Sequence, residues 1–322
     1  MLLGIHAGCL TQATPSIGTA GLGANFLKTV AREFAKPPAI IYFTGRRENV
    51  AQEVITMYQQ ELTTRFADDA EVTQKHQIRF VRCDMGTLAS VKECVQQFVR
   101  LEKERSGSEQ VLLHRFIANA GIMCTPAGLT ADGYEIQFGT NHMAHALFVK
   151  LLMPFLETAH GRAIILSSIA MEKTLPGGLD LQTVKTTQDN HFVFGMNFMR
   201  KWQRYGSSKL ANYLFAKELA KRFPSIDVIA IHPGVIQTAL FDNVNGFEQS
   251  LVRLLGGAPL TLTEGTANHL WACTAVKDKD FQSGQYFFPA GEKPVLVPYA
   301  KSEKLAEALW TFTETELAQY TL

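Results

Sequence analysis

The sequence predicts an α/β fold with a doubly wound parallel sheet, and three observations carry that prediction. Short apolar runs alternate with segments whose apolar residues recur at helical spacing. Runs such as Ile226 to Ile231 are continuously apolar but for Asp227, as a strand buried on both faces requires. The chain has 322 residues and is 46% hydrophobic, enough for one large α/β domain with a substantial core.

In chain order, strands are expected at Ala39 to Thr44, Ile78 to Cys83, Val111 to Ala118, Ala163 to Ser167, Ile226 to His232 and Gln285 to Phe288. A first strand over Leu10 to Pro15 is less apolar than the others. Helical spacing marks Phe26 to Phe34, Val50 to Phe66, Leu88 to Glu104, Asn141 to Leu156 and Ser208 to Phe223. The polar stretches Ala67 to His76 and Glu102 to Glu109 read as surface loops. No Pro/Gly-rich linker, repeat or low-complexity tract divides the chain, so residues 1–322 are expected to form a single domain.

Composition narrows the function. The 31 basic and 30 acidic residues leave a formal charge of +1, with no net field to hold nucleic acid or an anionic membrane. Five cysteines, Cys9, Cys83, Cys94, Cys124 and Cys273, are widely spread and odd in number, which suits a reducing, cytoplasmic setting better than a disulfide framework or zinc site. No stretch approaches the roughly 20 apolar residues that span a bilayer.

Chemistry concentrates at Tyr205 and Lys209. Residues four apart share a helix face, so the ammonium can lie beneath the phenol and lower its pKa, supplying roughly 4 kcal/mol toward proton transfer at neutral pH. The run Arg162 to Leu166 delivers Ser167 and Ser168 upstream, two candidates for a substrate contact. A second Tyr-x-x-x-Lys at Tyr213 and Lys217 has the same spacing. Tyr205 is favoured by its surroundings and by a place at the start of its helix. His142 and His145 lie three apart on a helix, which is compatible with packing or with metal ligation, but no third ligand accompanies them. No metal site is assigned, and Cys124 reads as a small buried thiol.

Gly18, Gly21, Leu22 and Gly23 precede a helix near Ala24, where glycines let a pyrophosphate approach backbone amides at a helix N-terminus. After the strand ending at Phe43 come Arg46 and Arg47, in the place where an acid would hold a ribose 2′-hydroxyl. Arginine there favours a 2′-phosphate and hence NADP(H), the alternative being a solvated loop pair.

In order, the glycine cluster, Cys83-Asp84-Met85, Asn119-Ala120-Gly121, Asn141, Ser168, Tyr205 with Lys209, and Pro233-Gly234 resemble the short-chain dehydrogenase/reductase family over nearly the whole chain. The stretches from Phe138 to His145, Tyr205 to Asn212 and His232 to Thr238 are similar to its retinol dehydrogenase and WW-domain oxidoreductase branch. The resemblance implies a Rossmann fold, a catalytic set of Asn141, Ser168, Tyr205 and Lys209, and a proton relay through a water held at an Asn141 kink. It implies that Asp84 bonds the adenine, that Asn119, Ala120 and Gly121 pack beside the adenosine, and that Ile236 and Thr238 hold the carboxamide. Members are often homodimers or homotetramers.

Two departures stand out. Ile17, rather than glycine, lies four positions before Gly21, and Ser16 stands where threonine is usual. Ser168 and Tyr205 are also far apart for this family, so an insertion of about 170–204 sits before the tyrosine. Its Phe192, Phe194, Met196, Phe198, Met199 and Trp202 either line an apolar pocket or pack the insertion down. The segment of about 240–263, with Phe241, Phe247, Leu251, Leu254 and Leu255, falls where the family carries a substrate lid. The expected activity is NADP(H)-dependent reduction of a bulky hydrophobic ketone or aldehyde, with Tyr205 as acid. The alternatives are carbon-carbon double-bond reduction on the same residues and an NADP(H)-binding sensor without turnover.

Overall fold

The computed structural model describes residues 9–12, 22–33, 39–174, 177–189, 197–236, 244, 246, 248, 260–289 and 291–322. Seven strands form one sheet, β1 (Cys9–Gln12), β2 (Ile40–Gly45), β3 (Gln77–Arg82), β4 (Arg115–Ala118), β5 (Arg162–Leu166), β6 (Asp227–Ile231) and β7 (Tyr286–Phe287). Their spatial order is β3-β2-β1-β4-β5-β6-β7 and every neighbouring pair is parallel. The chain therefore winds outward twice from β1, and β1 and β4 flank the switch point where a doubly wound sheet opens its ligand crevice. The first strand runs over Cys9–Gln12 rather than Leu10 to Pro15, and its central place explains how a weakly apolar segment is held by neighbours on both sides.

Side chains alternate across the sheet. Ile41, Phe43, Ile164, Leu166, Ile229 and Ile231 pack on one face against α1 (Leu22–Glu33), α2 (Glu48–Arg65) and α8 (Leu262–Thr274). Tyr42, Phe116, Ala163, Ile165, Val228 and Ala230 pack on the other, against α4 (Leu88–Ser106), α6 (Ala144–Thr158) and α7 (Asn197–Arg222). Both faces exclude water, which is why these strands read as unbroken apolar runs.

Several helices differ from the sequence reading. Residues Ala70–Lys75, expected as loop, contain a short helix, α3, too brief and polar to show apolar periodicity. The helix expected from Ser208 begins at Asn197, so Tyr205 lies well inside α7 instead of opening it. Gly206 and the two serines after it break the apolar period, which hid the first turns. Two further helices lie beyond those expected: α8, started by a Thr261/Glu264 capping box, and the C-terminal α9 (Glu303–Glu316), capped by Ser302.

Helix α9 braces the helix that bears Tyr205. Trp310 stacks on Phe215 of α7 at 5.2 Å between ring centroids, and the Arg222 guanidinium lies 5.0 Å from the Trp310 ring. Thr313 and Leu317 fix the chain before and within α6, through His142 Nε2 at 3.1 Å and the Lys150 ammonium at 2.9 Å. No described helix is long and apolar enough to cross a membrane.

Candidate active site

The residues singled out in the sequence fall just past the carboxyl ends of parallel strands. Arg46 and Arg47 follow β2, Asp84 and Met85 follow β3, Asn119 to Gly121 follow β4, Ser167 and Ser168 follow β5, and Pro233 and Gly234 follow β6. One edge of the sheet thus gathers them, although they are spread over nearly 190 positions of sequence.

The two serines have different tasks. Ser167 donates from Oγ to the Lys209 carbonyl at 2.7 Å and so ties α7 to the end of β5. Ser168 caps a 3₁₀ turn, Ile169–Lys173, accepting from the Ala170 amide at 3.2 Å, and its hydroxyl is near enough to the Tyr205 phenol to pull that phenol's pKa down. Gly206 allows that approach. A Cβ there would collide with the Ala170 carbonyl, so α7 presses against the 3₁₀ turn only because the residue after Tyr205 has no side chain.

Lys209 lies on the same face. Its Nζ sits 5.8 Å from the centroid of the Tyr205 ring and donates to the Leu166 carbonyl at 3.2 Å, a carbonyl that also accepts from Asn212 Nδ2 at 2.9 Å. The rival pair behaves otherwise: Tyr213 packs on Tyr286, and Lys217 pairs with Glu303 at the start of α9. Geometry therefore separates two motifs that spacing left equal.

Asn141 stands in a π turn, Gly139–Met143, inserted between the short helical turn α5 (Ile136–Phe138) and α6. The turn is widened at this asparagine, and π turns concentrate at functional sites. Its side chain accepts from the Ile122 amide at 2.8 Å and donates to the Ile122 carbonyl at 2.9 Å and to Ser208 Oγ at 2.9 Å. Ser208 in turn donates to the Tyr205 carbonyl at 2.7 Å. At Gly121 an added Cβ would lie 3.1 Å from Asn141 Oδ1 and 3.5 Å from Lys209 Nζ, so the loop after β4 closes on both polar groups.

The electrostatics correct one expectation. Burial pushes the Tyr205 phenol well up, outweighing the Ser168 hydrogen bond that pulls it down, so Lys209 does not lower it in the protein alone. The physical reason is that the amine is itself buried, at 5% exposure, and desolvation pulls its pKa down to about 8. Spacing showed that the two groups would meet, but not that both would lose water.

Apolar groups crowd the phenol. Met123, Cys124, Ala170, Val244 and Trp202 cluster with Tyr205, the Trp202 ring meeting it edge-on at 6.3 Å. Cys124 has a left-handed backbone, φ 52°, and a buried thiol whose pKa burial raises, which suits packing rather than reactivity. Of the insertion's apolar residues, Trp202 reaches this cluster and Met199 lies in α7, while the side chains of Phe192, Phe194, Met196 and Phe198 lie outside the described residues.

Other expected residues are placed as follows. Asp84 accepts from the Gly86 amide at 2.9 Å, and Met85 is buried. Asn119 Oδ1 meets His269 Nε2 at 3.0 Å, tying the β4 end to α8, and Ala120 is buried. Arg46 and Arg47 are exposed at the start of α2. Gly234 is left-handed, and buried Ile236 bridges to Leu260. Gly23 lies in the first turn of α1, which begins at Leu22. Ser16, Gly18, Gly21, Thr238 and most of the expected lid fall outside the described residues. His142 and His145 are both buried and neutral, pulled down to about 3 and about 4, and bond Thr313 and the Asn141 carbonyl. Sequence reasoning passed over Asn212 and His145 as partners of this site, though each lies three or four positions from a residue it singled out.

No family model matches the chain. Among curated proteins, retinol dehydrogenase 12 of Mus musculus is 31% identical over 297 residues, covering 90% of this chain and 82% of its own. The chain belongs to the short-chain dehydrogenase/reductase family. This short-chain dehydrogenase/reductase also matches one of Aspergillus calidoustus at 30% identity, covering 88% of each protein. A solved carbonyl reductase from chicken fatty liver has the same fold, with TM-score 0.58 and 19% identity over 90% of this chain and 98% of that one. The chain is therefore an oxidoreductase of the retinol dehydrogenase branch.

Proposed function

We propose that this chain reduces a ketone or aldehyde of a bulky, hydrophobic small molecule to the alcohol with NADPH, Tyr205 acting as general acid. The observation that carries the reading is the convergence of Ser168, Tyr205 and buried Lys209 at the carboxyl edge of a parallel sheet, beside its switch point.

The residues present suit a dinucleotide. The sheet's switch point lies next to Asn119 to Gly121, and the bare Cα of Gly121 leaves backbone surface where a Cβ would crowd Asn141 Oδ1 and touch Lys209. When bound, the nicotinamide supplies hydride from its carbon 4. Ser168 and Tyr205 would both hydrogen-bond the substrate oxygen, and Tyr205 would transfer its proton there as the carbon–oxygen double bond opens. Lys209 would hold the ribose hydroxyls and, as an ammonium, stabilise the phenolate left behind. Asn141 would fix the π turn beneath the amine and hold the relay water. Arg46 and Arg47 would take the 2′-phosphate, and the NADP(H) preference favours the reductive direction.

The apolar wall of Met123, Ala170, Trp202 and Val244 around the phenol favours a lipophilic substrate. Retinol dehydrogenase in the name of a relative points the same way. The scattered, odd-numbered cysteines favour a reducing, cytoplasmic site of action.

Purified protein offered NADPH and a panel of apolar ketones and aldehydes should oxidise the cofactor and yield alcohols. Binding of NADPH with no turnover on any of them would favour the sensor, and saturation of a carbon-carbon double bond would favour the other reductase. Arg46→Ala should weaken NADPH by roughly 10- to 100-fold, the worth of a charge-assisted phosphate contact, while leaving NADH affinity nearly unchanged. Equal losses by calorimetry would remove the 2′-phosphate assignment.

A further inference from the structure

His145 is a buried imidazole that the mechanism above does not use. It lies in α6, one turn beyond Asn141, and is 3% exposed. Its Nδ1 lies 2.9 Å from the Asn141 carbonyl oxygen. A carbonyl can only accept, so Nδ1 carries the hydrogen and Nε2 of the neutral ring is a bare lone pair. That Nε2 is buried and has no hydrogen-bond partner among the described residues. A buried acceptor left unpaired costs free energy, so such atoms in folded proteins generally serve a donor.

Lys209 is the cation beside this turn: its Nζ and Asn141 Oδ1 flank Gly121, at 3.5 and 3.1 Å from an added Cβ. It interacts electrostatically with His145, and its ammonium has three protons, of which the Leu166 carbonyl takes one. Other titratable groups near Lys209 are Tyr205 on its own helix and His232 at the end of β6, the latter also neutral. Among the described residues no carboxylate pairs with the amine, so neutral acceptors favour its charged form.

We propose that His145 is a positioning residue for proton transfer: its Nδ1–H anchors the Asn141 carbonyl in the π turn, and its Nε2 serves Lys209 through water, keeping that amine an ammonium. The catalytic consequence rests on Tyr205 and Lys209 being the proton-transfer pair. The contact itself does not, because it can be read in the free protein.

Two substitutions separate the ring's two nitrogens. Asparagine places an amide nitrogen near the Nδ1 position, so His145→Asn keeps the anchor and loses the distal acceptor. Glutamine places its amide near the Nε2 position, so His145→Gln keeps an acceptor there and loses the anchor. The Lys209 amine is followed by carbon NMR of lysine labelled at Cε in the cofactor-free protein, with Lys209→Arg assigning the signal. The expected result is a midpoint at least tenfold lower in proton affinity in His145→Asn, and within about twofold of the parent in His145→Gln. An unchanged midpoint in His145→Asn, or a shift confined to His145→Gln, would overturn the proposal and leave His145 as an anchor of the turn only.

The unsubstituted protein provides a reading that does not depend on either variant folding. The nitrogen resonance of His145 Nε2 should be that of an unprotonated acceptor and should move as Lys209 titrates. An Nε2 that carries the proton, or one indifferent to that titration, would equally overturn the proposal. A failed carbonyl panel would leave these titrations intact, so failure of the function and failure of this contact are distinguishable.

Discussion

Tyr205→Phe is expected to lower kcat for carbonyl reduction by about 10²- to 10⁴-fold, the contribution usual for a positioned proton donor, while NADPH affinity stays nearly constant. The substitution removes one oxygen from a ring held by Ala170, Trp202 and the 3₁₀ turn, so the fold has little reason to change. The loss should be larger than proton donation alone would give in water, because Tyr205 is buried, at 7% exposure, and little water is at hand to replace it. Steady-state kinetics beside equilibrium cofactor binding checks this, and undiminished turnover in the variant would remove Tyr205 as the acid.

Lys209→Met should produce the second large effect, with opposite signs for activity and stability. Activity should fall by a comparable factor, since the group that stabilises the phenolate is gone. Stability should hold or rise. The amine's pKa is drawn down to about 8 from its ordinary value near 10.5, so burying the charge opposes folding at neutral pH by about 3 kcal/mol. The sign follows from proton counts: between pH 8 and 10.5 the unfolded chain holds more protons than the folded one, so the parent protein gains stability as pH rises through that window. Below it the penalty is present in full. Methionine fills similar space without a charge, so denaturant unfolding of Lys209→Met should lack that rise, starting from a higher value at pH 7. A variant clearly less stable than the parent at pH 7 would mean that the Leu166 contact outweighs desolvation.

The fold was legible wherever one signal dominated. Strands such as Asp227–Ile231 were readable because both faces are buried, Tyr205 and Lys209 because a helix turn fixes their spacing, and Ser168 because it follows the apolar run of β5. What escaped was set by contacts distant in sequence. The first turns of α7 were hidden because Gly206, which disrupts the helical pattern, is needed for the helix to touch the Ala170 carbonyl. Helix α9 buries Ala306, Leu309, Trp310 and Thr313 at helical spacing, so the helix itself was legible, but its place comes from Trp310 stacking on Phe215. The direction of the Tyr205 pKa was misread because a Tyr-x-x-x-Lys spacing gives the separation of two groups but says nothing of the water around them. His145 was passed over for the same reason: a histidine in an apolar helix is usually packing, and only its bonded Nδ1 and solitary Nε2 set this one apart.

The central claim is that Ser168, Tyr205 and Lys209 hold a carbonyl where hydride and proton arrive together. Its most direct test is the fate of deuterium from NADPH labelled at nicotinamide carbon 4, with any apolar carbonyl the protein consumes. The label should appear on the new carbinol carbon, on one face only, and should be lost from the product in Tyr205→Phe together with turnover. Deuterium on a former alkene carbon, or none in any product while NADPH is still bound, would contradict the account.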